Sequence, residues 1–205
     1  MAGTDNYQIQ MQQAQQHFLT YDQQRLIQKL NLVHDQLWLY TAMLSRPYRL
    51  NRRDGSLQRQ CNGQWEDANT FGEVMTLLDL ICDSREDRHL AFRWKNMQDF
   101  GLMFHRSLLE EGKDPWAIRF DENPEALRRA CLALGGKPFP QGDVSYSIEF
   151  FDGLPIVIQL WQGDEEFPPQ LRFLWDENAL MYLRYETMYY AKGLLLQRLA
   201  QEMHS

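Results

Sequence analysis

From Tyr21 onward the apolar residues Leu26, Leu30, Val33, Leu37, Tyr40 and Leu44 recur at intervals of three and four. That spacing lines one face of a helix, and it predicts a helix ending near Ser45, before Pro47. The next stretch, YRLNRRDGSLQRQ, is polar and holds Asp54-Gly55, whose backbone accepts the positive angles of a tight turn, so a short hairpin is expected over Tyr48–Gln60. Asp67 and Asn69 are candidate caps for a helix through Phe71, Val74, Leu77, Leu78 and Ile81 that stops near Asp83. A further helical pattern at Phe100, Met103, Phe104 and Leu108 runs out near Gly112, and Asn123-Pro124 opens a helix that Gly135-Gly136 closes.

The period then changes. Val144, Tyr146, Ile148 and Phe150 alternate with their neighbours as in a strand, Asp152-Gly153 turns the chain, and LPIVIQLWQ returns as a second strand. LRFLW, Leu171 to Trp175, is a third strand, after which Asp176 is expected to cap a closing helix from Glu177 to Met203, about 40 Å long at the usual rise. Leu180, Leu183, Tyr190, Leu194 and Leu199 give that helix its buried stripe. Helices come mostly before strands, and short turns join the strands. The expected fold is therefore α+β: a small antiparallel sheet packed against several helices, with a long C-terminal helix. Residues 1–20 form a glutamine-rich segment, frayed or helical, and 21–205 read as a single domain, since no repeat and no glycine-serine linker divides them.

Composition narrows the partners. The 205 residues are 44% hydrophobic and 24% charged, enough for a core without staples, and 13% are aromatic. A formal charge of −7 offers nucleic acid no basic footprint and repels an anionic membrane, so neither is expected as a partner. Cys61, Cys82 and Cys131 are odd in number and lack any C-x-x-C spacing, which reads as reduced, mostly buried thiols. The opening MAGTDNYQIQMQQ has neither the basic start nor the apolar block of a secretory signal, and no apolar run approaches bilayer length, so the cytoplasm is the expected compartment.

The succession of an aromatic strand, the turn DGLPIVIQLW, the loop GDEEFPP, the strand LRFLWDENA and a long helix, Asp143 to Leu199, resembles a bacterial and archaeal domain family of unknown function, frequent in anaerobes. The resemblance is close over about the last third, extends back to about Leu77, and leaves out the N-terminal helix and glutamine tail. It implies no activity. Some relatives are joined to cysteine-rich iron–sulfur segments, and this chain has no such cysteines.

Four groups of residues are candidates for chemistry. In WQGDEEFPP, Asp164 and Glu166 fall on one side of an extended chain, and with Asp176 they would offer oxygens to a divalent cation. The commoner use of such a loop is a turn in which the acids cap amides, Pro168-Pro169 stiffen the chain and Arg172 pairs with one acid. Arg93 and Trp94, in the basic turn SREDRHLAFRWKNM, would hold a small anionic molecule by a guanidinium fork and a stacking wall, unless the arginines pair with Glu86, Asp87 and Asp99. His105, beside Phe104, is a candidate base in a pocket, against the commoner reading of a satisfied histidine. Tyr185 and Tyr189, in MYLRYETMYYAKG, add an aromatic second face for a ligand, a protein partner or a second copy of the chain, against the commoner reading of helix core. No spacing for a helical zinc site, a nucleophile elbow or a phosphate loop occurs. The expected function is a non-catalytic ligand- or partner-binding accessory protein. The alternative is a hydrolase using a divalent cation at the acidic loop.

Overall fold

In the computed structural model, which describes residues 2–100 and 114–204, the apolar spacing after Tyr21 serves two kinds of element. The Asp22 side chain accepts from the Gln24 and Arg25 amides and starts helix α2, Gln23–Leu30, which stops on Asn31 in the left-handed conformation, φ 48°. Beyond it the chain is extended, so the expected helix to Ser45 is a helix only for its first two turns. The reason is geometric: a separation of four residues returns to the same face in a strand as in a helix. Leu39 and Met43, four apart, are the buried pair of a strand. The reversal that follows uses Leu44 and Ser45, both at positive φ (50° and 58°), with no glycine or asparagine to announce it.

The chain divides into two compact units, Met1–His89 with Leu180–Leu194, and Leu90–Ala179 with Leu195–Ser205. Each draws on distant parts of the chain, so no linker marks the division. The first unit opens with helix α1, Ala2–Phe18, so the glutamine-rich segment is helical. After α2 come five antiparallel strands in sequence order: β1 (Val33–His34), β2 (Trp38–Met43), β3 (Arg46–Asn51), β4 (Leu57–Cys61) and β5 (Gln64–Asp67). The expected hairpin about Asp54-Gly55 is the β3–β4 pair, Leu50 facing Leu57. Asn62-Gly63, a plain hairpin signal that the sequence reading passes over, joins β4 to β5 with φ values of 50° and 78°. Helix α3, Phe71–Asp83, is capped by Thr70 rather than by Asp67 or Asn69, its hydroxyl accepting from the Glu73 amide. Glu73, 5% exposed, receives Tyr48 from β3 and Arg59 from β4. The closing helix α6, Tyr185–Glu202, contributes its first half to this unit.

The second unit holds β6 (Trp94–Asn96), helices α4 (Pro115–Asp121) and α5 (Pro124–Ala133), then β7 (Lys137–Pro138), β8 (Val144–Phe151), β9 (Leu154–Trp161), β10 (Gln170–Asp176) and the second half of α6. Its antiparallel sheet has the order β6-β10-β9-β8-β7. Asp152 and Gly153 make the β8–β9 turn at φ 47° and 79°, and Asn123 caps α5 by accepting from the Ala126 amide, both as the sequence predicts. Central strand β9 is buried along both faces from Ile156 to Leu160. The fold is α+β, with two antiparallel sheets of five strands among the described residues rather than one small sheet.

Asp176 does not cap the closing helix. Its fully buried carboxylate accepts the amides of Ala91 (2.9 Å), Phe92 (2.7 Å) and Asn178 (2.8 Å), a short 3-10 turn follows at Ala179–Met181, and α6 begins at Tyr185. The helix expected between Phe100 and Gly112 lies outside the described residues, as does His105. Among the described residues no helix is long and apolar enough to cross a membrane.

Candidate functional site

Helix α3 is apolar on most of its surface, yet Asp79 and Asp83, one turn apart, interrupt it. They stand on the edge of a groove of about 470 Å³ within the first unit. One wall comes from α1, where Gln10, Gln13, Ala14 and His17 share a face at helical spacing. Phe71, Met75 and Leu78 of α3 and Tyr190 of α6 supply apolar surface, the Phe71 ring lying edge-on to Tyr190 with centroids 5.4 Å apart. Arg184, Glu186 and Thr187 close the polar end.

Asp79 is 7% exposed. Its Oδ2 accepts the Arg184 amide at 2.8 Å, and the Thr187 hydroxyl also donates to the carboxylate. Burial nonetheless wins: it holds the Asp79 carboxyl above its ordinary value, although Thr187, the Arg184 amide and the Arg184 guanidinium all favour the charged form. The other oxygen, Oδ1, stands 3.4 Å from Arg184 Nε, which is close enough for an ion pair but is not aligned as a hydrogen bond, and no described residue donates to it. Asp83 is more fully engaged, taking the Tyr21 hydroxyl at 2.6 Å and the Arg184 guanidinium. Between them, Cys82 is pushed up to about 12, first by burial and then by Asp83, so its sulfur stays a thiol at neutral pH and is no nucleophile.

A neighbouring cavity of about 530 Å³ shares His17 and Cys82 with the groove. Its charges are already matched internally. The Lys29 ammonium, whose pKa burial lowers, donates to the carbonyls of Cys82 (3.0 Å) and Ser84 (2.9 Å) at the end of α3, and Arg25 pairs with Glu86 at 2.6 Å. Its lysine therefore closes a helix end.

The residues singled out in the sequence sit elsewhere. In the loop between β9 and β10, Asp164 Oδ1 accepts the amides of Glu166 (2.8 Å) and Phe167 (2.7 Å), which, Phe167 first, hold its carboxyl below the ordinary range. Glu166 is exposed beside it. Asp176 lies at the opposite end of β10, about 20 Å of strand away at the usual rise. Asp164, Glu166 and Asp176 therefore do not converge, and no metal-sized group of His, Cys, Asp and Glu occurs among the described residues. Arg93 and Lys95 both pair with Glu177, and the Trp94 ring meets Phe139 edge-on at 5.1 Å. Tyr185 and Tyr189 do meet: their rings are 5.6 Å apart and their hydroxyls 3.3 Å, with Tyr185 buried and Tyr189 42% exposed. Asp79, Asp83 and Arg184 are not among the residues that the sequence patterns single out. The readable signal was a pair of acids at i and i+4 inside an apolar helix; the arginine that meets them, about a hundred positions away, gives none.

Neither a curated protein nor a solved structure matches the chain. A domain family does, over residues 22–198. The match begins at α2, so it reaches further toward the N-terminus than the motifs of the last third imply, and it runs through both units. The family's description carries no activity, and the chain belongs to it: the domain of unknown function DUF3786.

Proposed function

We propose that the protein is a non-catalytic accessory protein of the cytoplasm whose first unit binds a small amphipathic organic cation in the groove between α1, α3 and the start of α6. The observation that carries this reading is Asp79 Oδ1, a buried carboxylate oxygen with no hydrogen-bond donor, on the edge of an apolar-walled groove. Buried charge is costly unless it is both paired and hydrogen-bonded, and Asp79 is only half provided for. Asp79, Asp83 and Glu186 outnumber Arg184, so the groove favours a positive head group. An ammonium would take the position beside Oδ1 that Arg184 Nε now holds at 3.4 Å, and the Arg184 side chain, 64% exposed, has room to withdraw. Phe71, Met75, Leu78 and Tyr190 would receive an aromatic or aliphatic body, and about 470 Å³ falls within the size range of small-molecule sites. The reading of Arg93 and Trp94 as an anion site loses support because Glu177 already engages Arg93. The hydrolase reading loses support because Asp176 lies a strand's length away from Asp164 and Glu166.

The test uses phenethylamine as the probe and phenylacetate as its anionic counterpart. Saturating amine, at about 100 times its dissociation constant, stabilises the folded state by about 2.7 kcal/mol. For a chain of this size that raises the unfolding temperature by about 5–10 °C. Phenylacetate has no such effect, and Asp79→Asn abolishes the response to the amine. Absence of saturable amine binding by the intact protein, or equal binding by Asp79→Asn, refutes the proposal.

A further inference from the structure

The loop from Gln162 to Pro169 is held from every side. The Gln162 amide donates to Asp143 (2.8 Å), the Gly163 amide to Asp121 (3.2 Å) and the Asp164 amide to the Phe167 carbonyl (2.9 Å), while Asp164 Oδ1 accepts from Glu166 and Phe167. A Cβ on Gly163 would stand 2.8 Å from Pro169 Cδ, so the chain packs there at a closeness that glycine alone permits. Pro168 and Pro169 lock two further φ angles.

The outcome of all this fixing is an aromatic ring in water. Phe167 is 61% exposed, Pro168 beside it is exposed, and Glu165 and Glu166, which immediately precede the pair, are exposed as well. Single exposed apolar residues are ordinary on protein surfaces. An aromatic anchor joined to a second apolar residue, next to exposed acids and on a loop fixed by its own hydrogen bonds, has the anatomy of an interface centre. Pre-ordering removes from association the cost of fixing that loop.

We infer that the Phe167-Pro168 tip is a docking element for a partner protein that offers an apolar pocket ringed by lysine and arginine side chains. Charge selects that occupant. Asp164, Glu165 and Glu166 repel nucleic acid and anionic membrane alike, and a second copy of this chain carries −7 itself. The inference is independent of the groove in the first unit.

The test places the photo-reactive p-benzoylphenylalanine at position 167 of the full chain in its own cells, with the same group at Leu132, 54% exposed in the same unit, as the control. The expected result is one discrete adduct from position 167 and none from 132. Its cross-linked residue on the partner lies beside lysine or arginine, and its yield falls about tenfold when Glu165→Lys and Glu166→Lys reverse the charge. Phe167→Ala leaves the unfolding temperature unchanged, because most of the residue's surface already lies in water. Equal adducts from both positions, no adduct at 167, an adduct to a second copy of the chain, a yield that charge reversal does not lower, or loss of stability in Phe167→Ala each overturns it.

Discussion

Asp79 in the first unit and Asp164 in the second do the same thing, accepting backbone amides, and the result is opposite. Asp164 sits in a solvated loop, takes two amides, and its carboxyl moves below the ordinary range. Asp79 sits in the wall of a groove and takes one amide, a hydroxyl and a nearby guanidinium, yet its carboxyl moves above that range. Water accounts for the difference. A solvated carboxylate keeps its hydration on the side the amides do not use, whereas a buried one must find in the protein everything it has lost, and Oδ1 of Asp79 has not. The loop acid thus organises backbone, and the groove acid keeps one oxygen without a donor.

Asp176 tests the two halves of that comparison together, because it is fully buried and yet accepts three amides. If satisfied amides are what make a buried carboxylate tolerable, Asp176→Ala leaves three donors without an acceptor and costs about 3–5 kcal/mol in urea unfolding. Asp176→Asn, which keeps one acceptor oxygen, loses less. An alanine variant as stable as the wild type would remove the distinction between the two kinds of acid. The next effect belongs to the loop itself. Gly163→Ala forces a methyl group against Pro169 and costs about 1–3 kcal/mol, the range for overpacking a fixed site. It also speeds amide exchange at Glu166 and Phe167, whose donors depend on the loop's shape. Unchanged exchange would mean that the loop yields, and that its acids are not held as described.

Much of the second unit is legible in the sequence because its signals are local. Asp152-Gly153 between two apolar runs and Asn123-Pro124 before a helix each state their own geometry within a few residues. The β2–β3 hairpin is not legible in the same way. Leu44 and Ser45 take left-handed angles without being residues that favour them, and the apolar spacing there suits strand and helix equally. The acidic loop is legible as a turn stiffened by prolines, but the three acids read as one cluster belong to opposite ends of a strand, a distance that linear order conceals. The groove is the least legible of all. Asp79 meets Arg184, 105 positions away, and only the fold brings α1, α3 and α6 to one place.

The smallest effect at neutral pH is also the one that most directly separates burial from pairing at the groove. Asp79 has a folded-state pKa above its ordinary value of 3.8, so the folded protein holds the Asp79 proton more tightly than the unfolded chain does. Its contribution to stability is therefore fully present below the ordinary value and is lost as pH climbs to the raised one. Asparagine carries no such proton. The stability of Asp79→Asn relative to wild type should accordingly rise with pH across that window and level off above it, read from urea unfolding at a series of pH values. A difference that instead falls as pH rises means that Arg184 and the hydrogen bonds outweigh desolvation. Asp79 would then be a fully compensated ion-pair partner of Arg184, and its Oδ1 would have nothing to offer a ligand.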